Sequence, residues 1–366
     1  LTDPAAEAID MEMNGMQRVT KIAAVAMGLA VVALAAACGS SGSSGSGSGG
    51  STSTVLTGAG STLVAPLISQ WEPDYAKSAG ITITYGAVGS GGGIDAITNR
   101  TVDFGASDAP LSSDQATACK SCLQIPWALA ATVVTYNVKG VPDKLKLTGP
   151  VLAAIYSGSI TSWNDSQIAS LNPGVNLPST HITPIYRSDG SGDSFVFTSY
   201  LSAVSSDWKS KVGASTQPAF PTGQGAEKNS GVAAAVQATD GAIGYVAVSY
   251  IAADSLDEAL LQNAAGNYPE PTTKGISAAA DAVTTIQPDG SVPLVNPPAS
   301  APDAYPMSTY SYAIIPQTSP KAKQLKAFLT YAIGPTGQAF GPALGFPPLP
   351  SAIVAHSKTV IAKITT

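Results

Sequence analysis

Charge is scarce in this chain. Only 11% of its 366 residues are Asp, Glu, Lys or Arg, and the formal net charge is −6. The 18 Lys and Arg form no cluster, which argues against a nucleic-acid-binding face. Histidine is scarcer still, with only His181 and His356, so the His/Asp cluster a metallophosphatase requires is not visible. Three cysteines, Cys38, Cys119 and Cys122, cannot complete a four-thiolate zinc site. The lysine of a P-loop and a G-x-G-x-x-G turn opening a helix are also missing, so nucleotide motifs do not match. No metal and no cofactor is expected. What is abundant is apolar side chain (44%), Gly (36) and Pro (27), the profile of a turn-rich globular chain. Its length suffices for one large or two medium domains. An acidic chain that binds an anion must do so with local groups, not its overall field.

The N-terminal part is expected to direct export. Acids at Asp3, Glu7, Asp10 and Glu12 are wrong for a signal, so residues 1–15 are expected to be an over-extended start. Residues 16–37 have the form of a signal peptide, with Arg18 and Lys21 in a short basic head and an apolar run, Ile22 to Ala37, ending in small residues. That run is too short and Ala-rich for a stable span. Leu34-Ala35-Ala36-Ala37-Cys38 resembles a bacterial lipobox, which implies a lipid anchor at Cys38, although Ala35 stands where Leu is usual. Gly39 to Thr52 is almost all Gly and Ser and is expected to act as a tether, so residues 38–53 form anchor and leash. In an exported chain, Cys119-Lys120-Ser121-Cys122 favours a small local disulfide over a redox or metal site.

Beyond the tether, strands alternate with helices, which argues an α/β architecture. Val55-Leu56-Thr57, Ile81 to Tyr85, Val102 to Asp108, Ala131 to Val138, Thr183 to Tyr186, Gly241 to Val246 and Tyr310 to Ile315 read as strands. Leu63, Leu67, Trp71 and Tyr75 recur at helical spacing, with Pro66 in the first turn, where proline is tolerated. Ile125-Pro126-Trp127 reads as the close of the first half, and residues 264–302 read as loop.

Four loops between strand and helix stand out. Arg187-Ser188-Asp189-Gly190-Ser191-Gly192-Asp193 joins a strand to a helix, and such a turn aims backbone N–H groups outward at the positive end of the helix dipole. That is an anion site or, more plainly, a surface turn with an Asp or Ser N-cap. Thr62 lies in a second such turn, Ser90 in a third, and Asp108 at a fourth strand end. Ligands in α/β sheets bind beyond the carboxyl ends of strands, where all four lie.

Gly58-Ala59-Gly60-Ser61-Thr62, Gly89-Ser90-Gly91-Gly92, Val102-Asp103-Phe104-Gly105-Ala106-Ser107-Asp108-Ala109-Pro110 and Arg187-Ser188-Asp189-Gly190-Ser191-Gly192 resemble the phosphate-binding proteins of bacterial high-affinity phosphate ABC transporters. So do Ser194 to Leu201 and Gly241 to Val246, and the likeness runs from about Leu56 to about Pro350. The resemblance implies a type II periplasmic-binding-protein-like fold, with two α/β domains joined by a hinge around a ligand cleft. Residues 54–128 and 302–366 would form domain I, and residues 129–301 domain II. Phosphate contacts would fall on Thr62, Leu63, Ser90, Asp108, Arg187, Ser191, Gly192 and Asp193, with Asp189 pairing Arg187. Asp193 departs from the family, which often has Thr there. The implied partners are inorganic phosphate and ABC-transporter permease subunits, for a lipid-anchored monomer on the extracytoplasmic face of the cell membrane.

A carboxylate in an anion site makes sense once protons are counted. Phosphate at neutral pH carries one or two protons and can donate to Asp108, whereas sulfate carries none. An enzyme using Ser90 or Ser191 as nucleophile is the alternative, but a serine needs a base within reach, and His181 precedes its strand at the end away from the cleft. Binding of another oxyanion, or a surface lipoprotein that keeps only the fold, are the others.

Overall fold

The computed structural model describes residues 54–366. The expected signal peptide, Cys38 and the tether lie outside the described residues. Among the described residues, no helix is long and apolar enough to cross a membrane.

The strands are β1 (Thr54–Gly60), β2 (Ile81–Ala87), β3 (Phe104–Ser107), β4 (Cys122–Asn137), β5 (Lys146–Leu147), β6 (Thr183–Arg187), β7 (Gln224–Ala226), β8 (Ala242–Ala247), β9 (Asp257–Glu258), β10 (Leu260–Leu261) and β11 (Ser308–Pro316). The main sheet runs β2-β1-β3-β11-β4-β8-β6-β7, with β9 also on β4 and a small β10-β5 pair apart. At each end of the main sheet the strands are parallel, β1 with β2 and β3, and β6 with β7 and β8. The central pairings β3–β11, β11–β4 and β4–β8 are antiparallel.

β4 links the two halves of the α/β fold. Its residues up to Ala131 pair with β11, and from Thr132 they pair with β8. The expected strand Ala131 to Val138 is thus only its second part, and Ile125-Pro126-Trp127 lies inside the strand instead of closing a half. Proline cannot donate a ladder hydrogen bond, and the β4–β11 register shifts beside Pro126, at Ser311/Tyr312. The region read as loop holds a helix, Thr273–Ala282, capped by the Thr272 hydroxyl. Its buried face carries one large apolar side chain, Ile276, beside Gly275, Ala279 and Ala280.

Aromatic side chains fill each half. Trp71, Phe104, Trp127 and Phe328 pack largely edge to face in the first. Tyr156, Phe197, Phe220 and Tyr245 pack in the second. Leu67, Trp71 and Tyr75 do share the buried face of the helix Ala65–Ala79, with a proline in its first turn. These cores hold the carboxyl ends of β1, β3 and β6 in place. Cys119 and Cys122 are joined in a disulfide at the end of the helix Ser113–Cys119.

Candidate functional site

The loops leaving β1, β3 and β6 converge with three helix starts. The helices Ala65–Ala79, Ser90–Thr98 and Gly192–Val204 begin at Thr62–Val64, Gly89 and Ser191 respectively. Aligned peptide dipoles give each start a partial positive charge. Ser191 is the N-cap of its helix, its hydroxyl accepting from Ser194 N at 3.2 Å. The plain reading of this stretch, a turn with a Ser N-cap, is thus what the geometry shows at Ser191.

The first wall is built on Asp108, just past β3 and 2% exposed. Its Oδ2 accepts from Ser61 Oγ at 2.5 Å and, at a longer 3.4 Å, from Ser90 Oγ. Ser61 Oγ also accepts from Leu63 N (3.0 Å) and Val64 N (3.3 Å), tying the carboxylate to the start of a helix. Asp108 Oδ1 is buried without a hydrogen-bond partner, and the Ser311 hydroxyl, also unpartnered, stands by. Burial, then the negative charge of Asp193, push the Asp108 carboxyl up to about 7, against the smaller opposing pull of Ser61, Ser311 and Arg187.

The second wall is built on Arg187, 3% exposed at the end of β6. Its Nε donates to Asp189 Oδ1 at 2.7 Å and its Nη2 to Asp189 Oδ2 at 2.5 Å, a two-pronged pair. Its Nη1 donates to Asp193 Oδ2 at 3.2 Å. Asp193 Oδ1 accepts from Thr132 Oγ1 and Oδ2 from Asn229 Nδ2, both at 2.8 Å. Burial opposes ionisation of Asp189, but the hydrogen bonds and charge of Arg187 overcome it and hold this carboxyl below its ordinary range. For Asp193, burial outweighs Arg187, Asn229 and Thr132, and its carboxyl is raised.

The walls touch. Gly192 N donates to Ser90 Oγ at 3.0 Å, Gly91 N to Gly190 O at 2.9 Å, and Asn229 Nδ2 to Thr62 Oγ1 at 2.8 Å. A Cβ at Gly192 would lie 2.5 Å from Asp108 Cβ, and one at Gly89, where φ is +87°, 2.5 Å from Asp189 Oδ2. Both positions need glycine for this approach. Thr62, Leu63, Ser90, Asp108, Arg187, Ser191, Gly192, Asp193 and Asp189 thus come together where the two walls meet. His181 is exposed at the opposite end of β6, and neither Ser90 Oγ nor Ser191 Oγ is bonded to a histidine.

A family model described as the PBP superfamily domain matches residues 45–336. The phosphate-binding protein PstS of Xylella fastidiosa is 41% identical over 307 residues, covering 82% of this chain and 83% of that protein. This chain belongs to the PstS family of the PBP superfamily. PstS of Haemophilus influenzae is 36% identical over 309 residues, covering 83% and 91%. The crystal structure of a phosphate-binding protein from Stenotrophomonas maltophilia shares the fold, with a TM-score of 0.65 at 22% identity over 84% of this chain and 94% of that one.

Within this PstS-family cleft, sequence reasoning passed over Ser61, Thr132, Asn229 and Ser311. Ser61 stood inside a quoted motif, one residue before Thr62. Asn229 opens the helix Lys228–Ala238, and Thr132 and Ser311 lie in strands. Thr132 alone interrupts an apolar run, while Ser61, Asn229 and Ser311 have polar neighbours, and none of the four names its partner in the sequence.

Proposed function

We propose that this protein captures inorganic phosphate in the cleft between the two walls and delivers it to an ABC-transporter permease for import. The observation that carries this reading is Asp108, a buried carboxyl with one unpartnered oxygen, facing three helix starts and Arg187. With Asp108 ionised, a fully ionised oxyanion is disfavoured there, because two desolvated negative charges would meet. Phosphate brings its own proton for Asp108 Oδ1. Its remaining oxygens take donors from Thr62, Ser90, Arg187 and Ser191, and take over the Leu63 and Gly192 N–H groups, which without ligand donate to Ser61 Oγ and Ser90 Oγ. A site that hydrogen-bonds a group rejects an analogue lacking it by roughly 10⁴–10⁵.

Asp189 holds the Arg187 fork in plane. Asp193, saturated by Thr132, Arg187 and Asn229, serves as an anchor for Arg187 beside the ligand, with its backbone N–H available to it. Domain I comprises residues 54–128 and 302–366, and domain II residues 129–301. The change of β4 from β11 to β8 between Ala131 and Thr132 supports that division and a hinge there. Export by residues 16–37 and lipidation of Cys38 would hold a monomer at the extracytoplasmic face of the membrane, and Cys38→Ser would then leave it in the soluble fraction.

Titration calorimetry on the full chain with phosphate and sulfate tests the reading. Phosphate binds and a large excess of sulfate does not compete. Equal binding of the two anions, or binding of neither, removes phosphate capture as the function.

A further inference from the structure

Asn229 has no assigned role in capture, yet its amide makes three hydrogen bonds that reach both walls. It is wholly buried in the first turn of the helix Lys228–Ala238. Its Oδ1 accepts from Ala247 N at 2.8 Å, at the end of β8. A backbone N–H can only donate, so this bond fixes which way the amide faces. Its Nδ2 then donates to Thr62 Oγ1 in one half of the fold and to Asp193 Oδ2 in the other, both at 2.8 Å.

The direction of the Thr62 bond has a consequence. An amide nitrogen has no lone pair to offer, so Thr62 Oγ1 must be the acceptor. A hydroxyl that accepts keeps its single hydrogen for another acceptor. Among the described residues, no protein group takes that hydrogen. Asp193 Oδ2, held by the same Nδ2, also receives Arg187 Nη1 at 3.2 Å. One amide therefore orients a hydroxyl donor on one wall and the counter-ion of the cationic donor on the other.

We propose that Asn229 is a positioning residue that makes Thr62 an obligatory donor to the bound anion and couples it to the Arg187–Asp193 pair across the cleft. The inference rests on the phosphate reading above and deepens it. The chain β8 amide, Asn229, Thr62, ligand runs donor to acceptor in one sense only. A ligand must present a bare oxygen at the end of it, while Asp108, on the same wall, requires a protonated one. The two together demand an anion that carries both kinds of oxygen.

A double-mutant cycle read by phosphate calorimetry on the full chain tests this. Asn229→Ala weakens phosphate binding about tenfold, and Thr62→Val does the same by removing the donor. In the Thr62→Val background, Asn229→Ala costs at least threefold less than in the parent, because the hydroxyl it would orient is gone. Thr62→Ser, which keeps the donor, keeps the full dependence on Asn229. A residue that merely supports the fold would give the same loss in every background, and additive losses overturn the proposal. Thermal melts run beside each titration, and if Asn229→Ala does not fold, Asn229→Ser takes its place in the same cycle. Failure of the parent to bind phosphate overturns the functional reading and this inference with it. Phosphate binding by the parent with additive losses overturns this inference alone.

Discussion

The two walls of the cleft hold similar residues in opposite electrostatic condition. On the Arg187 wall every charge has a partner: Asp189 takes two prongs of the guanidinium, and Asp193 takes the third along with Thr132 and Asn229. On the Asp108 wall the carboxylate has only serine hydroxyls, one oxygen has no partner at hydrogen-bond distance although Ser311 stands by, and the carboxyl is pushed up to about 7, first by burial and then by Asp193. Saturated groups give a site its shape, and a group left unsaturated in a buried place gives it discrimination, because its missing partner must come from the ligand. The comparison gives the two kinds of carboxylate different work, Asp189 and Asp193 as frame for Arg187 and Asp108 as the group that waits for a partner.

Arg187→Ala tests the saturated wall hardest. It leaves Asp189 and Asp193 buried without their cation, a loss of about 3–5 kcal/mol. Phosphate affinity falls by at least a hundredfold in calorimetry, and the melting temperature falls with it. Near-parental affinity would take Arg187 out of the site and erase the contrast between the walls.

Asp108→Asn tests the open wall. An amide can donate toward sulfate but cannot accept a phosphate proton as a carboxylate does, so discrimination against sulfate drops by about a hundredfold or more, and phosphate affinity drops less. Unchanged discrimination would end the proton-acceptor role. The same variant has a signature without ligand. A carboxyl raised from its ordinary value to about 7 favours the fold while protonated, and that contribution is lost as pH rises through about 7. Ligand-free Asp108→Asn is therefore more stable than the parent at pH 8, by on the order of a few kcal/mol, and the gap closes near pH 4. Melts across that window measure it.

The walls were unequally legible in the sequence. Arg187, Asp189 and the glycines around Ser191 sit in one short stretch, and a strand, a Gly/Ser turn and a helix in succession bring them together by local geometry alone. Asp108, Ser90 and Thr62 come from separate loops, and only the α/β alternation, which sends such loops to one edge of a sheet, grouped them. Asn229 and Thr132 were out of reach, because their roles depend on which half of the fold meets which across the cleft. The full length of β4 was missed for a related reason. Pro126 reads as a strand breaker, and it is accommodated only because β11 shifts register beside it. Short elements such as β7 and β9 exist through their neighbours and leave no periodic trace.

Asp193→Asn has the smallest expected effect on binding and separates the walls most sharply. The carboxylate stands where a hydroxyl was expected, beside an anion site, which would be repulsive if its charge faced the ligand. Its oxygens instead face Thr132, Arg187 and Asn229, and its negative charge lies in the first turn of a helix, where the dipole favours it. The amide keeps the shape and one acceptor oxygen but loses the charge that balances Arg187, and it turns N–H groups toward donors. Stability falls by about 1–3 kcal/mol as those donors lose their acceptor, while phosphate affinity changes by less than about tenfold, since no ligand contact of the side chain is removed. Removal of the Asp193 charge also relieves Asp108, so the Asp108 carboxyl titrates lower and the stability difference between pH 4 and pH 8 narrows. A binding loss as large as that of Arg187→Ala would move Asp193 from frame to ligand contact and make the two walls alike.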